Sequence, residues 1–556
     1  AVQTSPYNLA AMSPASTPVQ PSLLRTSSTA ALVLVSVLLA WPSMSIWGAW
    51  LGVDAQHTQL IAHMVQTVLP DYAWTSLLLC LGVGVLVALL GSATAALVCL
   101  FNFPGKRWLE WALLLPMAMP AYVVAYAYTD FLQFSGPLQT TLRQATGWQG
   151  ALWPDIRSLW GAVLVFTLTL YPYVYLLVKT ALREQASRLM EAARLLGASK
   201  TRRIMTIALP MARPAIAAGV ALALMETLAD FGVSSYFGIQ SFTAGIYKAW
   251  LSMDAPLVAG QLASVLLVVV LVLLQVEKSA QSKQRFYSNR SSASTLSELP
   301  LTNTSKGWAL LALGCIPVLL GFVLPSAILL WRWLSDPQVA SWQQYLQWGW
   351  NSLRLAGITA LLAVALALLI GARNRLLPTP LTRLLARLIQ LGYAIPGAVV
   401  VVGILLPLSL THAISAMQPL TALLTTTGVA LVWAYLVRFT AVAMQSVDSA
   451  YARIPLSLDE ASRTLGVQGW ALWRGVHLPL LRTNVVAAVL LVFVDVMKEL
   501  PATLVLRPFN SDTLAVVAYQ LARDERLGEA AIPSLALVAF GLIPVLLLNR
   551  QPHHDK

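Results

Sequence analysis

Twelve apolar runs constrain this chain more than any other feature, because each is close to the ~20 residues that carry a helix across a bilayer. They fall at 32–50, 74–100, 111–131, 159–178, 215–236, 257–275, 308–331, 353–370, 385–408, 423–444, 485–506 and 531–548. Composition excludes the soluble alternative. A chain of 556 residues would ordinarily make three or four water-facing domains, but only 11% of this one is charged, against about 25% for a soluble domain. The expected fold class is therefore an all-α membrane protein with about twelve transmembrane helices. The net charge of +13 does not imply a nucleic-acid partner, since the basic residues sit between apolar blocks instead of on a folded polar surface. Cys80, Cys99 and Cys315 lie inside apolar runs without paired spacing, which excludes a disulfide framework and a cysteine zinc site.

Residues 1–29 are rich in Ser, Thr, Pro and Ala with Arg25 as their one charge, and lack the pattern of a cleaved signal peptide. They are expected to form a disordered tail. A polar, Ser-rich stretch at 277–306 reads as a cytoplasmic linker. It separates a first six-helix domain at 30–276 from a second at 307–549, with a short C-terminal tail at 550–556. Placing both termini and the linker in the cytoplasm puts most of the 36 basic residues there, as the positive-inside rule requires. Arg354, Arg438 and Lys498 fall within spans.

The two halves repeat one another. Glu191, Ala192, Ala193, Gly197, Ile207, Leu209 and Pro210 recur as Glu460, Ala461, Ser462, Gly466, Val476, Leu478 and Pro479, all displaced by 269 residues. Trp74, Ser76, Leu77 and Pro120 map onto Trp350, Ser352, Leu353 and Pro396 at an offset of 276. Two units with an even number of spans enter from the same side, so the halves are expected to be pseudo-symmetric about an axis along the membrane normal. The repeated segment reads as a cytoplasmic helix, a glycine turn and a second helix. Each glycine is suited to a left-handed helix end and each proline to the start of the next span. Taken alone, one such loop could simply cap its own bundle, but two copies at one spacing favour a docking element.

That segment, Glu-Ala-Ala followed at fixed intervals by Gly, Ile and Leu-Pro, resembles the cytoplasmic signature of permease subunits of binding-protein-dependent ABC importers. The resemblance covers both halves, as if two permeases were fused. Residues 225–232 (METLADFG), 497–504 (MKELPATL) and 506–510 (LRPFN) look like the ferric-iron uptake permeases within that family, whose fused relatives carry thiamine, polyamines, sulfate or phosphonates. The resemblance implies a bacterial inner-membrane location, two ATPase subunits on the two loops, and an extracytoplasmic binding protein. It implies no enzyme activity and no cofactor on this chain, with ATP and magnesium on the ATPase. Consistently, the sequence contains no Gly-x-x-x-x-Gly-Lys-Ser/Thr phosphate loop.

Charges inside the spans point to the cargo. Glu226 and Asp230 lie four apart in the fifth span, and Asp495 and Glu499 occupy the same positions in the eleventh, 269 residues on. An ionisable residue at mid-membrane costs about 2.5–3.5 kcal/mol on insertion scales and so marks a pathway or a buried pair. Gly232 and Pro501 follow the pairs as helix breakers, which would aim free carbonyls and the negative helix end at the same place. Four oxygen donors favour a hard cation, and the resemblance makes ferric iron the expected substrate and transported metal. In the alternative, Lys498 or Arg438 neutralises one acid and the rest sit in wet vestibules. Lys498 is expected to point away from the site; Tyr171, Tyr173 and Tyr175 could offer phenolic oxygens, with interfacial aromatics the commoner explanation. His57, His63, His412, His553 and His554 lack ligand spacing. A second class of function, an ion-coupled secondary transporter using the four acids as a relay, is disfavoured because it needs no paired docking loops.

Overall fold

The computed structural model describes residues 21–51, 55–183, 192–288, 299–300, 304–335, 341–411 and 417–549. It is helical almost throughout, and the helices follow the apolar runs in order. Among the described residues ten are long and apolar enough to cross a membrane: Thr29–Trp50, Leu69–Leu100, Leu159–Ala181, Ile204–Ala229, Pro256–Ala280, Ser305–Ser335, Trp342–Leu376, Val429–Tyr451, Gly469–Lys498 and Leu527–Leu546. The third and ninth expected spans are not straight crossings. Each is a pair of helices, Lys106–Ala118 with Ala121–Thr146 bent by 88°, and Pro380–Ala394 with Gly397–Leu410 bent by 111°.

The bends have one cause in both halves. Met119 and Ile395, the residues before Pro120 and Pro396, are extended (ψ 118° and 121°). A proline ring disfavours helical backbone in the residue before it and supplies no amide to carry the ladder on. The short helical turns leading into the breaks, Leu115–Ala118 and Leu391–Ala394, stand 276 residues apart, so the duplication extends to the irregularities. Broken backbone at membrane depth is tolerated where it lines a cavity, and both breaks do.

The halves are interlocked. The first span packs on the second half, where a Cβ added to Gly403 would sit 1.9 Å from the Pro42 carbonyl oxygen. Ser45 donates to the Gly403 carbonyl at 2.5 Å and Trp433 to that of Leu38 at 2.9 Å. The seventh span packs on the first half in the same manner, with Gly321 against the Leu168 carbonyl and Arg332 paired to the buried Asp130. Each half thus lends its first helix to the other. Apolar side chains such as Leu34, Leu81, Leu89, Leu361 and Leu369 stay exposed around the bundle, as a lipid-facing perimeter requires.

The connecting segments differ from expectation at their edges. The first helix begins at Pro21, within the stretch expected to be a disordered tail, and the sixth span continues as one helix to Ser288, well into the expected linker. Leu299–Pro300 pairs in parallel with Phe101–Asn102. Residues 1–20 and 289–298 and the C-terminal tail lie outside the described residues, as do Glu191, His412, His553 and His554.

Candidate functional site

The fifth-span helix Leu209–Ala229 and the eleventh-span helix Leu478–Lys498 are both 21 residues long and both carry proline at the second position. Each ends on an acid of the expected pair: Asp230 and Glu499 are extended (ψ 129° and 120°). The breaks therefore come before Gly232 and Pro501, which instead begin the short helices Gly232–Tyr236 and Pro501–Leu506. The two acids satisfy the orphan amides of those helices. Asp230 Oδ1 accepts from the Val233 amide at 2.7 Å. Glu499 accepts from the Ala502 and Thr503 amides at 3.0 and 3.1 Å and from the Thr503 hydroxyl at 2.8 Å.

All four sequence-expected acids line one cavity of about 190 Å³ between the halves. Glu226 and Asp495 project into it one turn before their helices end, and Tyr393 donates to Glu226 Oε1 at 2.8 Å. Two bases share the space. Arg438 pairs with Glu499 at 3.1 Å, and Lys498 lines the cavity while donating to the Met117 carbonyl at 3.1 Å. Lys498 is thus part of the site, contrary to its expected direction, because it lies three residues beyond Asp495 on the same helix face, while Glu499 is the residue that leaves the regular helix. The four acids do not form one ligand shell in this conformation. Among the described residues no three Asp, Glu, His or Cys side chains are placed to hold a metal ion, and the reason is local: Asp230 and Glu499 turn toward backbone amides.

The tyrosines also depart from expectation. Tyr171 and Tyr175 are core residues whose hydroxyls donate to the carbonyls of Leu113 and Glu110 at 3.0 and 2.9 Å, while Tyr173 lines the cavity. Tyr393 was missed in the sequence. Its signal is indirect, since it lies three residues before Pro396 and opposite Met117 in the repeat. Arg438 takes the neutralising part that the sequence alternative gives it, on Glu499.

Away from the repeated loops, beyond Asp230 and Glu499, further contacts join the halves. Tyr247 donates to the Pro501 carbonyl at 2.6 Å, and Ser235 and Tyr519 share a hydrogen bond of 2.7 Å. The Phe231 ring lies against both Tyr247 and Tyr519 in tilted contacts, with centroids at 4.2 and 5.8 Å.

At the other end of the same helices stand the repeated loops. Gly197 and Gly466 are left-handed (φ 79° and 81°). Around them Ala198 bonds back to Ala193 and Val467 to Ser462, both at 2.9 Å, and each glycine bonds back three residues at 3.0 Å. This is the double-bonded glycine helix end, formed twice. A π-turn follows in each copy, Ile204–Ala208 and Trp473–His477, before Leu209-Pro210 and Leu478-Pro479 open the long helices. Leu195, Leu196, Leu465 and Trp470 are left more than half exposed on the loops.

The copies differ in anchorage. In the second, Asp459 of the loop helix Leu456–Thr464 pairs with Arg375 at 2.7 Å and with the fully buried His477 at 2.9 Å. Burial raises the Asp459 carboxyl, but the hydrogen bonds and charges of Arg375 and His477 outweigh it and hold the carboxyl below its usual range. The corresponding residues of the first half are Cys99, Met190 and Ala208, which cannot build such a cluster.

Comparison with known proteins agrees with the duplication. The sequence family described as binding-protein-dependent transport system inner membrane component matches twice, at residues 81–276 and 363–551. The Fe(3+)-transport system permease protein FbpB 2 of Haemophilus influenzae is 26% identical over 85% of this chain and 88% of its own length. A probable ABC transporter permease protein, y4fN of Sinorhizobium fredii, is 23% identical over 86% and 87%. The molybdenum transport system permease protein ModB of Escherichia coli is 33% identical, but over 31% of this chain and 74% of its own.

Proposed function

Because the chain belongs to the family of binding-protein-dependent transport system inner membrane components, we propose that its two repeats together form the membrane pathway of an ATP-driven importer of ferric iron. The chain is a multi-pass inner-membrane permease. Two ATPase subunits dock on the repeated loops from the cytoplasm, where both termini also lie, and carry the ATP and magnesium. An extracytoplasmic binding protein delivers the cargo on the opposite face. Transport proceeds by alternating access, the halves closing on one side of the cavity as they part on the other.

The observation that carries the cargo assignment is the cavity itself. Four carboxylates against two bases leave its lining acidic, which suits a cation and disfavours the oxyanions of molybdenum or phosphonate permeases. Arg438 is already engaged by Glu499, so it offers an anion little. The relative named for Fe(3+) transport matches along nearly the whole chain, whereas the molybdenum relative matches along less than a third. An organic cation such as thiamine or a polyamine is the alternative that the same acidic lining would also suit.

The test is ATP-dependent uptake into proteoliposomes holding this chain with its ATPase and binding protein. Ferric iron is expected to accumulate, undiminished by excess molybdate, aminoethylphosphonate or thiamine. Accumulation of one of those solutes without iron would overturn the cargo assignment.

A further inference from the structure

We propose that the transported ion is held by a mixed set of two phenolic and two carboxylate oxygens: Tyr173 and Glu226 from the first half, Tyr393 and Asp495 from the second. The proposal rests on the ferric-iron reading and specifies the atoms that would serve it.

The choice follows from what each cavity residue is already doing. Asp230 and Glu499 are taken up by amides of the following helices, and Glu499 also by Arg438. Glu226 and Asp495 remain, at equivalent positions one turn before their helix ends. Neither is tied to a backbone amide by any bond described above. On the fourth span, Tyr171 and Tyr175 spend their hydroxyls on backbone carbonyls, while Tyr173, between them on another face of the helix, opens to the cavity. Tyr393 stands at the break of the ninth span with its hydroxyl 2.8 Å from Glu226. Tyr173, Tyr393 and Glu226 also line a smaller recess, together with Arg438, whose charge is paired to Glu499. Both tyrosines lie within electrostatic reach of both Glu226 and Asp495.

A small, highly charged ion prefers oxygen donors, and phenolate is a ligand proteins use for ferric iron, as in catalase haem. Binding a phenol to the ion breaks its O–H bond and forms an iron–oxygen bond. The two phenolic protons pass to carboxylates of the chelate that delivers the ion, such as citrate, as its own iron–oxygen bonds break, so Glu226 and Asp495 stay ionised as ligands and iron stays ferric. Each half contributes one phenol and one carboxylate, so parting the halves would split the set and release the ion. Lys498, one turn beyond Asp495 in the same cavity, keeps the site from holding its cargo too tightly.

Iron(III)–phenolate coordination absorbs visible light, which gives a readout that a structural role would not move. The assembled complex in lipid nanodiscs is titrated with ferric citrate, following absorbance and bound iron together, with radioactive iron uptake measured beside it. A saturable charge-transfer band is expected in the wild type. It should be at least halved in Tyr173→Phe and in Tyr393→Phe, absent in the double variant, and unchanged in Tyr175→Phe. Iron bound or transported by the wild type without the band, or a band that persists in the double variant, would overturn the ligand set and leave the cargo assignment standing. Absence of both binding and uptake in the wild type would overturn the two together.

Discussion

At the residue scale, the cavity shows that four acids of one motif carry two kinds of work. Glu499 is buried and meets Arg438 and two backbone amides, so its first task is to hold the start of Pro501–Leu506. Removing one member of a buried pair strands the other charge, at about 3–5 kcal/mol. Arg438→Met is therefore expected to lower stability by about 3 kcal/mol, and adding Glu499→Gln should restore part of it. Thermal unfolding of the single and double variants measures that coupling; additive losses would mean that the pair does not interact. This division of labour was not legible in the sequence. Spacing placed all four acids on the pathway, but whether a carboxylate faces the cavity or the next helix depends on ψ at a single residue, Asp230 or Glu499. Tyr393 was hidden for a different reason, since only the break at Pro396 brings that part of the ninth span to the centre.

At the element scale, the repeated loops were the most legible part of the chain. Gly197 and Gly466 take the left-handed conformation that their positions require, and a Cβ at either would meet nothing within 4 Å. Substitution there is consequently a backbone effect, roughly 1–2 kcal/mol for a side chain forced into that region. Gly197→Val and Gly466→Val should uncouple ATP hydrolysis from transport while leaving membrane insertion intact, and unchanged transport-linked hydrolysis in the double variant would contradict the docking role. The loops are nevertheless unequal. Asp459→Ala should destabilise the second loop by about 3 kcal/mol, as the loss of a buried, hydrogen-bonded charge, with no counterpart in the first. The native Asp459 carboxyl titrates below its unfolded value, so its contribution is complete at neutral pH. It is lost only as the pH falls through that lower value, under the usual carboxylate figure of about 3.9. The difference in melting temperature between wild type and variant should accordingly persist from pH 8 to 5 and shrink below about 4. A difference that vanished near pH 6 would place the effect on another group. The two sharp bends were half legible: Pro120 and Pro396 could be paired by offset, but hydropathy alone cannot distinguish a straight span from a broken one.

At the scale of the whole molecule, the duplication predicts an arrangement that the interlocked first and seventh spans make mechanically interesting. Each half is clasped by a helix of the other, so cutting the chain between Ser288 and Leu299 and co-expressing the pieces should preserve assembly and transport. Assembly without transport would give the connector an active part. What periodicity could not anticipate was the exchange of helices, because an apolar helix reads alike whichever half it packs against. The central claim is that a cavity shared by the halves passes ferric iron, and the most direct measurement is iron uptake by the cross-half variant Glu226→Gln with Asp495→Asn. Both substitutions keep side-chain size and remove one charge from each half. Uptake is predicted to fall at least a hundredfold in a complex that still assembles and still hydrolyses ATP, whereas uptake at the wild-type rate would contradict the account.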